Sequence, residues 1–357
     1  MNDIGQNFIV GFNGTSYNDE LEELIVKYKI GGIILFKRNI SDSRFELKNM
    51  LTQIQEKAKS INIPPLFVAI DHEGGRVHRL GDLATHFPAP YSMELLGEDD
   101  LYRVYVQQGG ELVFFGFNMV FGPVLDLCSS DSKGAIGDRS FGTDFKSAMP
   151  RILIAQKGLE KSGILTVLKH FPGHGSVGVD PHYNLPHIEK DLSEFEEYDL
   201  LPFKEAVKKG TNAIMSAHIL ASSVDAVFPA TISKTWLTYL RDKLLFKGMI
   251  VSDDLCMKAL WDNYSIEEIT EIGVRAGLDS LCICFNDGEF DKAFQRSYNF
   301  LTRLVAENDS VAKYMKKAQE RIKDLKKKFS GLKAFNDELI FIKGKDLLKE
   351  IAEKCLD

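Results

Sequence analysis

Residues 164–186 read ILTVLKHFPGHGSVGVDPHYNLP, and the junction inside that stretch decides the fold. Residues 164–168 are an unbroken β-branched and aliphatic run, the mark of a strand buried on both faces. Lys169 and His170 follow at once, so the strand delivers polar groups to a rim. Pro172, Pro181 and the intervening glycines then stop any regular element, and a structured loop must leave from that rim. Ordering such a loop costs chain entropy, which argues for a loop with a task. His170, His174 and His182, with His187 just beyond, make up four of the chain's eight histidines. We read the stretch as an active-site loop.

Working outward, apolar runs recur at 8–12, 31–36, 66–71, 117–127, 164–170, 213–218, 249–254 and 280–285. Helical patterns separate them at 19–28, 45–61, 101–115, 146–161, 194–209, 234–245 and 266–276. Eight β units alternating with helices predict an α/β protein, a (β/α)8 TIM-type barrel forming one catalytic domain over residues 1–330. An open doubly wound sheet would want G-x-G-x-x-G near its first turn, and the sequence has none there. Asp71, Lys169–His170, His218 and Asp253–Asp254 all close their runs, and barrel strands bring such ends to one face. Further helices are expected at 290–305 and 311–329. The second carries KDLKKK at 323–328, expected as a solvated basic helix end beside the barrel. Residues 331–357 form a short C-terminal appendage.

Composition narrows the partners. Of 357 residues 44% are hydrophobic, and 44 basic against 51 acidic residues give a charge of −7. That balance disfavours nucleic acid. No apolar run reaches membrane-spanning length, and the N-terminus lacks the pattern of a signal peptide. Five cysteines, at 128, 256, 282, 284 and 355, are odd in number and without paired spacing, which predicts a reduced, cytoplasmic setting. A monomer acting on a small molecule is expected.

The candidate chemistry sits in four places. The acids of VSDDL, Asp253 and Asp254, close a buried strand; one can cap the next helix while the other reacts, and periodicity does not choose between them. Asp180 and His182 stand two apart across Pro181, where a carboxylate would orient an imidazole for acid/base work; a plain Asx-turn is the alternative. The histidine spacing H-x3-H-x7-H matches no helical ligand pair, so no metal is expected and His174 is read as a loop buttress. In IDHEGGRVHRL (70–80), Asp71 is expected to meet a ligand and Glu73 to pair with Arg76. Arg139, in GDRSFG (137–142), is either an ordinary turn residue or a substrate clamp.

Taken together, GGIILFKRN, DHEGGRVHRL, GDRSFG, KHFPGHG followed by DPH, MSAHI and SDDL resemble glycoside hydrolase family 3, specifically its single-domain bacterial β-N-acetylhexosaminidases. The likeness runs from about residue 5 to residue 286. It implies a retaining β-N-acetylglucosaminidase that needs no cofactor and acts on muropeptides in cell-wall recycling. By resemblance Asp253 is the nucleophile, His182 the general acid/base and Asp180 its partner, while Asp71, Arg79, Arg139, Lys169 and His170 hold the sugar. Relatives often have serine where Pro181 stands and glutamine where His72 stands. Rival readings are a family 3 β-glucosidase, an N-acetylglucosaminide phosphorylase and an inactive muropeptide-binding sensor.

Overall fold

The computed structural model describes residues 3–128, 134–175, 185–284, 292–329 and 337–355. Its sheet holds eight strands: β1 (Phe8–Val10), β2 (Gly32–Leu35), β3 (Phe67–Ile70), β4 (Met119–Val124), β5 (Leu165–Phe171), β6 (Ala213–Ser216), β7 (Met249–Ser252) and β8 (Leu281–Ile283). Each pairs in parallel with the next from β1 to β7, and β8 pairs back to β1. A parallel bridge between Val251 and Ser280 joins β7 to β8 and closes the barrel.

The two-residue period of the strands builds two cores. Ile9, Ile34, Ala69, Phe121, Val167, Met215 and Val251 point inward and fill the barrel. Their neighbours Val10, Ile33, Val68, Val120, Leu168, Ile214 and Ile250 point outward and pack under the helices. Because both faces are covered, the runs read as continuously apolar.

The helices around the barrel include α1 (Asp19–Val26), α2 (Arg44–Ser60), α3 (Glu98–Phe115), α4 (Phe145–Lys161), α5 (Leu192–Glu197), α6 (Leu201–Lys208), α7 (Lys234–Thr238) and α8 (Ile266–Ala276), with a single further turn at Lys258–Trp261. The helix expected over 194–209 is broken into α5 and α6. Pro202 has no N–H for the preceding turn and sits instead in the first turn of α6, where none is needed. The stretch after α7 winds on as a π-helical turn, Tyr239–Lys243.

Past the barrel come α9 (Ala293–Glu307), α10 (Asp309–Phe329) and α11 (Leu339–Cys355). Ile322, Leu325 and Phe329 of α10 join the inner core and plug the N-terminal end of the barrel. The basic end of α10 is therefore not solvated throughout, as its charge pattern suggested. Lys326 is 4% exposed, donates to Gln6 Oε1 at 2.8 Å and lies over the Phe67 ring. The apolar side of α11 (Ile340, Phe341, Leu347 and Ile351) is buried, and Arg103 and Asp100 of α3 pair with its Glu350 and Lys354. Among the described residues no helix is long and apolar enough to cross a membrane.

Candidate active site

The C-terminal ends of β3, β4, β5 and β7 converge on a cavity of about 330 Å³. Asp71 ends β3, and a short antiparallel ribbon (His72–Gly74 with Val77–His78) follows it. Its turn runs through Gly74 and Gly75 at φ 96° and 50°, backbone that a side chain would strain. The turn directs Glu73 back under the cavity. Lys169 Nζ lies 2.6 Å from both Asp71 Oδ1 and Glu73 Oε1. Arg139 meets Glu73 with two bonds, Nε to Oε2 at 2.7 Å and a terminal nitrogen to Oε1 at 2.8 Å.

These charges are stable only as a group. Burial would push the Glu73 carboxyl up, but Arg139 and Lys169 outweigh it and hold it well below the usual range. Burial would lower Lys169, and the two carboxylates raise it instead. Removing one member would strand a buried charge.

The end of β5 and the described start of the loop after it, through residue 175, are fastened by Asp126, just past β4. One of its oxygens accepts the His170 backbone N–H at 3.1 Å and the ring Nδ1–H at 2.6 Å; the other accepts the His174 backbone N–H at 2.7 Å. Gly175 then passes so close to Leu127 that a Cβ would stand 1.7 Å from its carbonyl oxygen. The buttress at His174 is thus its backbone. Its buried ring lines the cavity with neither nitrogen partnered among the described residues, and burial pulls it down to about 4.

Beyond β7 the two acids of VSDDL divide. Asp254 Oδ1 accepts the backbone N–H groups of Cys256 (3.0 Å) and Cys284 (2.9 Å), stitching the turn to β8. Among the described residues Asp253 accepts a hydrogen bond from the Asp254 N–H alone, at 2.8 Å. Burial would raise its carboxyl, yet His218, His170 and Lys169 hold it below the usual carboxylate range. His218 itself bridges Thr231 Oγ1 and the Asp254 carbonyl, both at 2.8 Å.

Asp71, Arg79, Arg139, Lys169, His170 and Asp253 all line this cavity, although up to 182 positions separate them. Asp180 and His182 lie outside the described residues. The expected Glu73–Arg76 pair does not form. Arg76 turns to the rim, where it binds Asp138 Oδ1 at 2.7 Å and the carbonyls of Ala135 and Ile136, steadying the turn that presents Arg139. Two groups escaped the sequence reading, Asp126 as anchor and Glu73 as hub. The signal for Asp126 was present: it too is an acid closing an apolar run. The arrangement can hold a polyhydroxy ligand between carboxylates and cations while presenting an ionised carboxylate to it.

Residues 2–325 match the glycosyl hydrolase family 3 N-terminal domain. The chain is 37% identical over 275 residues to a β-hexosaminidase of Neisseria meningitidis serogroup C, covering 74% of each, and 34% identical over 283 residues to one of Haemophilus influenzae, covering 77% of this chain and 78% of that one. A solved family 3 β-N-acetylglucosaminidase from Paenibacillus sp. superposes with a TM-score of 0.90 at 28% identity, covering 99% of this chain and 68% of its own. A fungal multi-domain family 3 β-N-acetylglucosaminidase gives 0.91 at 28% identity, and the chain spans only 42% of its length.

Proposed function

The chain belongs to glycosyl hydrolase family 3, and from that premise we propose a retaining exo-β-N-acetylglucosaminidase that removes terminal GlcNAc from muropeptides. Membership together with these relatives makes it a glycoside hydrolase of the β-N-acetylhexosaminidase class. The finer reading places its substrate, GlcNAc joined to 1,6-anhydroMurNAc-peptides, in cytoplasmic peptidoglycan recycling. The catalytic unit is residues 1–330, with the rest as an appendage.

The observation that carries this reading is the Asp253 carboxylate opening on one cavity with Asp71, Arg79, Arg139, Lys169 and His170. In the proposed reaction Asp253 attacks the anomeric carbon and forms a glycosyl ester. His182, oriented by Asp180, protonates the departing oxygen and then takes a proton from water, whose attack returns the original configuration. A carboxyl held below its usual range is an anion at working pH, as a nucleophile must be. The other five residues hold the sugar hydroxyls and acetamido group. His182 rests on the sequence resemblance and on its place eight positions beyond His174, which lines the cavity.

A panel of aryl β-glycosides differing only at the 2-position tests the substrate class. The 2-acetamido sugar should be turned over far faster than the glucoside or xyloside. Equal or better turnover of the glucoside would reject the assignment.

A further inference from the structure

Sulfur gathers on one side of this cavity. Cys282 in β8 and Cys284 just past its end face inward together, and their Sγ atoms stand 3.7 Å apart. Both line the cavity, as do the thioethers of Met215 and Met257. The two cysteines are buried, unoxidised thiols, and the glycosidase chemistry above uses neither. Among the described residues no three His, Cys, Asp or Glu side chains are arranged to hold a metal ion. Four-coordinate zinc therefore lacks a donor set here. A soft ion satisfied by two sulfur ligands does not.

We infer that Cys282 and Cys284 form a two-thiolate site for a soft monovalent ion, Cu(I) or Ag(I), on the cavity wall, and that filling it shuts out the sugar. The second half rests on the reading of the cavity as the glycoside site. Sulfur–metal bonds of about 2.3 Å, the zinc–thiolate length, would span about 4.6 Å across a linear ion, so the thiols part by roughly 1 Å. Each S–H bond breaks as its S–metal bond forms. Two protons leave to solvent, no electron changes hands and the centre carries one negative charge. Met215 and Met257 supply soft surroundings, and the open cavity supplies the route in.

The test is anaerobic competition for Cu(I) against bicinchoninate, read from the chelator's absorbance with no substrate present. The full chain should withdraw one Cu(I), and zinc at the same concentration should not compete. Cys282→Ala/Cys284→Ala and Cys282→Ser/Cys284→Ser should withdraw none, while Cys128→Ala should still withdraw one. Aryl N-acetylglucosaminide turnover should fall in step with occupancy and return when excess chelator strips the ion. Failure of the full chain to take Cu(I), or equal uptake by folded double variants, would overturn the site. Uptake by the pair with undiminished turnover would overturn the blocking role. A metal-free protein without any turnover would instead count against the glycosidase reading and leave the site standing.

Discussion

A lysine is buried at each end of the barrel, and the two ends treat it in opposite ways. At the C-terminal mouth Lys169 is 2% exposed and its ammonium touches two carboxylates, each at 2.6 Å. At the N-terminal floor Lys326 is 4% exposed and donates to a neutral amide, Gln6, at 2.8 Å. The first is raised above the ordinary lysine range, while burial pushes the second down to about 7. Burial alone disfavours the charge; only compensating carboxylates keep it. The mouth therefore concentrates fixed charge, and the floor is a plug whose buried ammonium is disfavoured as a cation.

Breaking the mouth should have the larger effect. Lys169→Met leaves Asp71 and Glu73 short of a cation, and should cost about 3–5 kcal/mol of stability, with activity lost. The wild-type network also has a defined pH window. Glu73 is depressed, so its contribution is complete above about 4.3 and is lost as pH falls through the folded value. Lys169 is raised, so its contribution is complete below about 10.4 and is lost as pH rises through the folded value. Denaturant unfolding between those limits should show the full deficit in the variant. A deficit below about 1 kcal/mol would mean that the mouth charges are solvated after all.

At the floor the sign reverses. Lys326→Met should stabilise by about 1–4 kcal/mol at pH 6, as happens when buried charge gives way to apolar volume. The unfolded chain keeps this lysine protonated to about 10.4 while the folded one releases the proton near 7, so its penalty eases as pH rises between those values. The gap between variant and wild type should narrow from pH 6 to pH 10. A destabilised variant at pH 6, or a gap independent of pH, would erase the contrast between the ends.

The smallest effect belongs to the rim. Arg76 and Asp138 are about half exposed, so Arg76→Ala should change stability by less than about 1 kcal/mol. It frees the turn that presents Arg139, and KM should therefore rise by up to about tenfold, an effect near 1.4 kcal/mol, with kcat nearly kept. Unchanged KM would make Arg76 a surface residue only.

The barrel was legible because its strands announce themselves twice, as apolar runs and as polar residues that end them. Asp71, Lys169 and Asp253 were found in that way. What stayed hidden depends on neighbours distant in the chain. Asp254 is occupied by the backbone of Cys284, thirty positions on, and no local period could show which acid of the pair that would be. Glu73 turned from Arg76 to Arg139 and Lys169 because the ribbon buries it, and ribbon geometry is not written in charge spacing. Lys326 looked like part of a solvated run because KDLKKK gives no sign that a barrel end lies against one side of its helix.

The central claim is that Asp253 forms a bond to the sugar, and covalent trapping tests it most directly. A 5-fluoro N-acetylglucosaminyl donor slows hydrolysis of the ester, so digestion and mass mapping of the stalled protein locate the attachment. The account predicts a label on the peptide containing Asp253 and no label in Asp253→Ala, which should also lack turnover. An unlabelled wild type, with activity retained in Asp253→Ala, would contradict it and point to the substrate's own acetamido oxygen as nucleophile.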